Sequence, residues 1–177
     1  LVIEKYLKKI ASQNFKVIIL RYPNIIGSSA DGKLGEKNSF ISRIVPSFYK
    51  NIIKKKISIL FYDFSKKSFP KRNYMHVEDI ADINVKVIQN LKKFKKNYHV
   101  FNINNQKQYS NIDVLNTMSK IMKKKPEYSL KQISKKESMS QYYKSKDNLA
   151  KYINFNVKYE SLEKILKTNI KWFKKIY

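Results

Sequence analysis

The sequence predicts an α/β fold, and three observations carry that expectation. Segments with helical spacing of apolar residues alternate with short apolar runs along the chain, the pattern of strands interleaved with helices. Val17-Ile18-Ile19-Leu20 is apolar without alternation, as in a parallel-sheet strand covered on both faces. The glycines Gly27, Gly32 and Gly35 cluster just after that run, so the turn chemistry follows a strand and does not interrupt an element.

The elements follow in order. Leu1–Ser12 reads as a helix, with Val2, Ile3, Tyr6, Leu7 and Ile10 on one face and Lys5, Lys8 and Lys9 on the other. No capping signal precedes it. Phe15–Leu20 is the strand, ending at Arg21-Tyr22-Pro23-Asn24, and residues 28–38 form a loop. Phe40–Ile52 has helical spacing, with Pro46 requiring a kink or a late start. Ile57–Phe61 and Tyr74–Val77 read as short strands, and Glu78–Leu91 as a helix built on Ile80, Ile83, Val87, Ile88 and Leu91. His99–Ile103 is a further strand. Ser110–Lys123 is a helix opened by Ser110 with Asp113 three residues on, a capping-box pattern. Leu130–Tyr142 is polar and shows no period. Lys146–Ile153 reads as a short helix and Ser161–Ile176 as a terminal one.

Composition narrows the class. The chain has 177 residues, 42% hydrophobic, with three glycines and four prolines, enough for a hydrophobic core and too few breakers for long linkers. No run approaches the roughly 18 apolar residues of a membrane span, and Leu1–Ser12 is too charged for a secretory signal. No cysteine is present, so neither disulfides nor a thiolate metal site is expected, and a cytoplasmic setting is. The first residue is not Met, which hints that sequence precedes Leu1. The net charge of +25 would ordinarily suggest a nucleic acid or an anionic membrane. Yet the arginines are only Arg21, Arg43 and Arg72, and the chain is rich in Asn and Ile. A Lys-Asn-Ile bias accounts for the charge without a polyanion, and the lysines scatter over every expected helix as a solvated face would.

Three stretches carry chemistry. The first is Leu20-Arg21-Tyr22-Pro23-Asn24-Ile25-Ile26-Gly27, followed by Asp31-Gly32-Lys33-Leu34-Gly35-Glu36. The second is Arg72-Asn73-Tyr74-Met75-His76-Val77-Glu78-Asp79-Ile80-Ala81. The third is Phe101-Asn102-Ile103-Asn104 with Ser110-Asn111-Ile112-Asp113-Val114, closing in the Lys-rich helix that contains Trp172. Taken in register over essentially the whole chain, they resemble the nucleotide-sugar epimerases of the extended short-chain dehydrogenase/reductase family, of the UDP-glucose 4-epimerase type. The resemblance implies the carboxy-terminal part of a Rossmann-like parallel sheet plus the smaller substrate-binding domain. Residues 1–27 would end the NAD-binding domain and 28–177 would be mainly the nucleotide-sugar domain, with 74–105 returning to the Rossmann-like sheet.

The residues support local roles. In open α/β folds ligands bind beyond the carboxyl ends of the strands, where Tyr22 and Asn24 fall. By resemblance Tyr22 lies against the nicotinamide side of NAD, and Asn24 bonds the sugar or a diphosphate oxygen; by themselves they read equally as a half-buried ring and a turn residue. Arg72 matches the diphosphate-binding position, where a guanidinium fork grips two phosphate oxygens as lysine does not; the plain alternative is an ion pair with Glu78 or Asp79. Phe61 matches the aromatic beside the uracil, or is simply a core residue at a strand end. Tyr142 matches a tyrosine near the substrate. Asp79 and His76 read as structural.

Departures from the family pattern are also visible. Lys135 stands for a phosphate-binding arginine, Ser138 for the ribose-holding aspartate, Arg43 for an asparagine and Asn73 for the aspartate after Arg72. They leave the identity of sugar and nucleotide open.

The resemblance further implies transient oxidation of a nucleotide sugar at C4 with NAD as hydride carrier, interconverting UDP-glucose and UDP-galactose in a homodimer. The catalytic Tyr-x-x-x-Lys pair and the Gly-rich pyrophosphate turn would precede Leu1, so the fragment alone is expected to be inactive. Tyr62/Lys66 and Tyr142/Lys146 share the spacing, but a chain with thirteen tyrosines and so many lysines yields about two such matches by chance. A 4,6-dehydratase or decarboxylase on the same scaffold is the sister reading. A basic nucleic-acid-binding module, or a relic without activity, is the reading from another class.

Overall fold

The computed structural model describes residues 2–37, 43–104, 107–134 and 148–177. Helix α1 (Val2–Ile10) carries Glu4 in its first turn and Lys8 and Lys9 in its last, charges that complement the helix dipole. Strand β1 (Val17–Arg21) follows, and Arg21 returns to α1 as a two-bond fork on the Glu4 carboxylate. β1 runs parallel to β5 (Tyr98–Asn102), with Val17 opposite Tyr98 and Arg21 opposite Asn102. The uniform apolar run predicted burial on both faces, yet Ile18, Ile19 and Leu20 are only half-buried. Among the described residues β5 is the only strand beside β1, so one edge and part of one face stay open.

A second sheet has the order β2-β4-β6. β2 (Asn24–Ile26), for which the sequence predicts no element, lies parallel to β4 (Lys71–His76), with Asn24 opposite Tyr74 and Ile26 opposite His76. Three residues are too few to show a period, and only the neighbour makes them a strand. β4 starts three residues earlier than the apolar pattern indicated, because β6 (Gln108–Ser110) pairs antiparallel with its polar first half. β3 (Ser58–Tyr62) pairs in parallel with β7 (Tyr128–Gln132). β7 is exposed at every position, which explains its lack of an apolar signal.

The helices hold closer to expectation. α2 (Ile44–Lys54) begins late, with Pro46 as its third residue, where a missing N–H costs no intrahelical bond. α3 (Val77–Gln89) is capped by His76. α4 (Asn111–Met122) opens with the predicted capping box: Asp113 N–H donates to Ser110 Oγ, and Ser110 N–H to the Asp113 carboxylate at 2.8 Å. α5 (Leu162–Ile176) is capped by Ser161. In place of the short helix over 146–153, the described part is one 3-10 turn, Leu149–Lys151.

Two cores result. The first joins α2, α4 and α5 through Phe48, Leu115, Met118, Leu166 and Phe173, with Leu60 from β3. The second joins α3, β5 and the Leu149 turn through Ile83, Phe94, Phe101 and Ile153. Strand β4 serves both. Successive strand residues point to opposite faces, so Tyr74 enters the first core and Met75 the second. No described helix is long and apolar enough to cross a membrane.

Candidate functional site

A cleft of about 550 Å³ opens where β2, β3, β4 and the start of α2 meet. Four residues singled out in the sequence line it together: Asn24, Arg43, Phe61 and Arg72. They come from four separate segments, so their convergence is a property of the fold.

Asn24 opens β2 beside Tyr74 of β4 and hydrogen-bonds the Tyr74 hydroxyl. Burial pushes that phenol above its usual pKa, partly offset by Arg72 and Asn24, so Tyr74 is a neutral wall. Arg72 lies two residues before Tyr74, on the same face of β4; its Nη1 donates to the Lys71 carbonyl at 3.0 Å. The expected alternative, an ion pair with Glu78 or Asp79, does not form. The Glu78 carboxylate receives Ala30 N–H and the Tyr159 hydroxyl, and that of Asp79 receives the N–H groups of Lys158 and Tyr159.

Arg43 occupies the cap position of α2, and its Nη1 stands 3.3 Å from Glu36 Oε1. The Arg43 side chain makes no capping bond of its own, and the first residues of α2 line the cleft, so the positive end of the helix dipole adds to the two guanidinium groups. Phe61 is 39% exposed on β3, with Ile59 on the same face lining the same cleft. The Phe61 carbonyl accepts from Asn111 Nδ2 at 2.9 Å, which ties the end of β3 to the start of α4. One side of the cleft is therefore cationic and the other presents an apolar platform. That combination suits a ligand with a phosphate group and a flat ring.

Tyr22 is placed elsewhere. Its hydroxyl donates to Asn84 Oδ1 of α3 at 2.8 Å, and burial raises its pKa; it lines neither the cleft nor the hollow beside it. Lys135, Ser138, Tyr142 and Lys146 lie outside the described residues. At Tyr62/Lys66, the Tyr62 ring packs edge-on against Phe64 and Phe69, and Lys66 pairs with Asp63 at 3.6 Å. Glu36, Tyr74 and Asn111 also line the cleft, with no role expected of them from the sequence. Asn111 could not have been found locally, because its place depends on α4 meeting β3.

An apolar hollow of about 610 Å³ adjoins the cleft, shares Ile25, Ile26, Glu36 and Arg43 with it, and extends over Leu34, Val77 and Ala81. Behind it His76 is fully buried. Its Nδ1 accepts Glu78 N–H, its Nε2 lies 3.0 Å from Thr168 Oγ1, and its ring stacks on Tyr159 at 3.5 Å. These contacts hold His76 in place between β4, α3 and α5, and Asp79 fastens residues 158–159 to α3.

Burial holds the His76 pKa below its usual 6.5, against the pull of Glu78 and Asp79. The folded state therefore takes up this proton less readily than the unfolded chain. The stabilising contribution is complete above pH 6.5 and is lost as pH falls from there towards the folded-state pKa. Thermal melts between about pH 7 and about pH 5 should show a falling midpoint whose slope is shallower in His76→Gln; equal slopes in both proteins would refute this origin.

Residues 1–104 match the family model described as NAD dependent epimerase/dehydratase family. The UDP-glucose 4-epimerase of Lactobacillus helveticus is 30% identical over 113 residues, 62% of this chain and 34% of that protein. That of Lacticaseibacillus casei is 30% identical over 109 residues, 60% of this chain and 33% of that protein. Among solved structures, the Stenotrophomonas maltophila UDP-glucose-4-epimerase with bound NAD and formylated UDP-arabinopyranose superposes with a TM-score of 0.84 at 17% identity, over 99% of this chain and 53% of that one. The Bifidobacterium longum UDP-glucose 4-epimerase in complex with NAD+ and UDP gives 0.80 at 20% identity, over 98% and 51%. These structural likenesses show a shared Rossmann-like α/β fold. The matched part spans about a third of the curated relatives, at 34% and 33%, and about half of the solved structures, at 53% and 51%.

Proposed function

The chain belongs to the NAD-dependent epimerase/dehydratase family, and on that premise we propose that it is the nucleotide-sugar-binding portion of a UDP-glucose 4-epimerase-type isomerase. The observation that carries this reading is the meeting of Asn24, Arg43, Phe61 and Arg72 in one cleft. Arg72 and Arg43 bind the diphosphate, Phe61 stacks on the uracil with Ile59 beside it, and Asn24 bonds the sugar or a diphosphate oxygen. By resemblance Arg43 stands where asparagine is usual, and it supplies a guanidinium fork in place of the one lost with lysine at position 135. Lys135 and Tyr142 complete the substrate side by resemblance alone.

NAD supplies hydride transfer at the sugar C4. The chain's own residues fit its nicotinamide end: the hollow walled by Ile25, Leu34, Val77 and Ala81 gives apolar cover to a flat ring next to the cleft, while the placing of Tyr22 against the nicotinamide rests on the resemblance alone, since Tyr22 does not line this hollow. The role proposed for these residues is binding; the resemblance assigns the proton-transferring Tyr-x-x-x-Lys pair to none of them. Residues 1–27 and 74–105 belong with the NAD-binding sheet, the remainder with the substrate domain, and the intact protein is a homodimer. The parallel pairing of β1 with β5 supports that division.

The test is calorimetric titration of the 177-residue chain with UDP and with uridine. UDP should bind more tightly than uridine, and its advantage should shrink with added salt, since phosphate contacts are screened. Equal affinity for the two would sink the diphosphate reading. In the intact enzyme UDP-galactose should yield the C4 epimer; a dehydrated product would transfer the assignment to the dehydratases.

A further inference from the structure

Helix α5 has two working faces. One enters the first core through Leu162, Leu166, Ile170 and Phe173. The other is a stripe of Thr168, Lys171, Trp172 and Lys175, aligned by the three- and four-residue spacing of helix neighbours. Every member of that stripe bonds the backbone of the loop over 28–36. Thr168 Oγ1 accepts from Ser28 N–H at 3.1 Å, Lys171 Nζ donates to the Ala30 carbonyl at 2.7 Å, Lys175 Nζ to the Gly32 carbonyl at 2.7 Å, and Trp172 Nε1 to the Glu36 carbonyl at 2.9 Å. The Trp172 ring lies so close to Gly35 that an added Cβ would come within 2.5 Å of it. Glu78 fastens the same loop from α3 by accepting Ala30 N–H at 2.8 Å. A segment without regular structure is thus held at five backbone atoms, four of them by one helix face.

The loop ends at Glu36, whose carboxylate meets Arg43 at 3.3 Å in the cleft. Arg43 is 64% exposed, and a long exposed side chain otherwise spreads over many rotamers. Glu36 is itself an anion beside a site that has to accept phosphate, and its pairing with Arg43 neutralises it there. A displaced loop would therefore free the guanidinium and leave a carboxylate facing the ligand.

We propose that α5 is the positioning element of the anion-binding side of the cleft: the Thr168–Lys171–Trp172–Lys175 stripe fixes the 28–36 loop, and the loop, through Glu36, fixes Arg43 for a nucleoside diphosphate. This rests on the reading of the cleft as a nucleotide-sugar site. Trp172 is a positioning residue and does not touch the ligand.

The decisive variant is Trp172→Phe, which keeps an aromatic ring near Gly35, removes the N–H given to Glu36 and leaves a smaller side chain. Titration of the full chain with UDP should show affinity reduced by about threefold to tenfold, the worth of one neutral hydrogen bond, with uridine affinity changed by less than about twofold. In an Arg43→Ala background the same substitution should cost nothing more, since Trp172 acts through Arg43. The pair Lys171→Met and Lys175→Met should speed amide exchange across 30–36, which reads the clamp without any ligand. Unchanged UDP binding by Trp172→Phe overturns this proposal while the wild-type preference for UDP upholds the cleft assignment. Equal loss for UDP and uridine, full additivity with Arg43→Ala, or unchanged exchange also overturns it. A wild-type chain that binds UDP no better than uridine overturns the cleft assignment, and this inference with it.

Discussion

Replacing Arg72 by alanine is expected to weaken UDP binding about tenfold to a hundredfold, the loss of charge-assisted hydrogen bonds to phosphate. Uridine should bind Arg72→Ala and wild type alike, because the contribution lies in the diphosphate. Arg72→Lys keeps the charge and loses the planar fork, so it should recover only a small part of the affinity. The fold should tolerate both changes. Arg72 is half-buried at the polar end of β4, and the strand's packing rests on Tyr74 and Met75. Titration of the three proteins with UDP and uridine checks this. Wild-type affinity in Arg72→Ala would remove Arg72 from the site and leave Arg43 as the cation to examine.

Gly27→Ala is expected to destabilise the chain by about 3 kcal/mol or more, from backbone strain together with overpacking. Gly27 has φ +108°, and an added Cβ would lie 2.3 Å from Cδ2 of His76. That ring cannot yield, because Glu78 N–H, Thr168 Oγ1 and the Tyr159 ring hold it. For a chain of this size the melting midpoint should fall by roughly 6–12 °C. Adding His76→Ala removes the clash and leaves the φ strain, so the double variant should lose less than the sum of the single ones. A midpoint within about 2 °C of wild type in Gly27→Ala would mean that the close approach is not enforced.

Periodicity located most of the helices because each one buries a stripe. Ile80, Ile83 and Val87 recur with helical spacing, and they are the residues of α3 that enter the second core. The Ser110 capping box was legible because it is made by residues three apart in the chain. The lysines read as a solvated face, and Lys171 and Lys175 are exposed, but both also donate to loop carbonyls. Nothing in the order of residues distinguishes them from Lys174, and only the packing of α5 against the loop does. Exposed β7 and three-residue β2 were missed for a related reason: their evidence is a neighbouring strand far away in sequence.

The site divides along the same line. Residue order was enough to show an α/β chain with a turn after a strand, a scarce arginine in a polar-aromatic stretch, and three motifs in register with a nucleotide-sugar family. Those are statements about residue type and spacing, and local chemistry is sufficient to make them. Packing brings Asn24, Arg43, Phe61 and Arg72 into one cleft, sets the Tyr22 hydroxyl on Asn84, and holds Glu36 by Trp172, 136 positions further on. A strand or helix reveals its own period, whereas a binding site is a meeting of elements. That meeting is set by how Tyr74 and Met75 direct the two faces of β4 into two different cores.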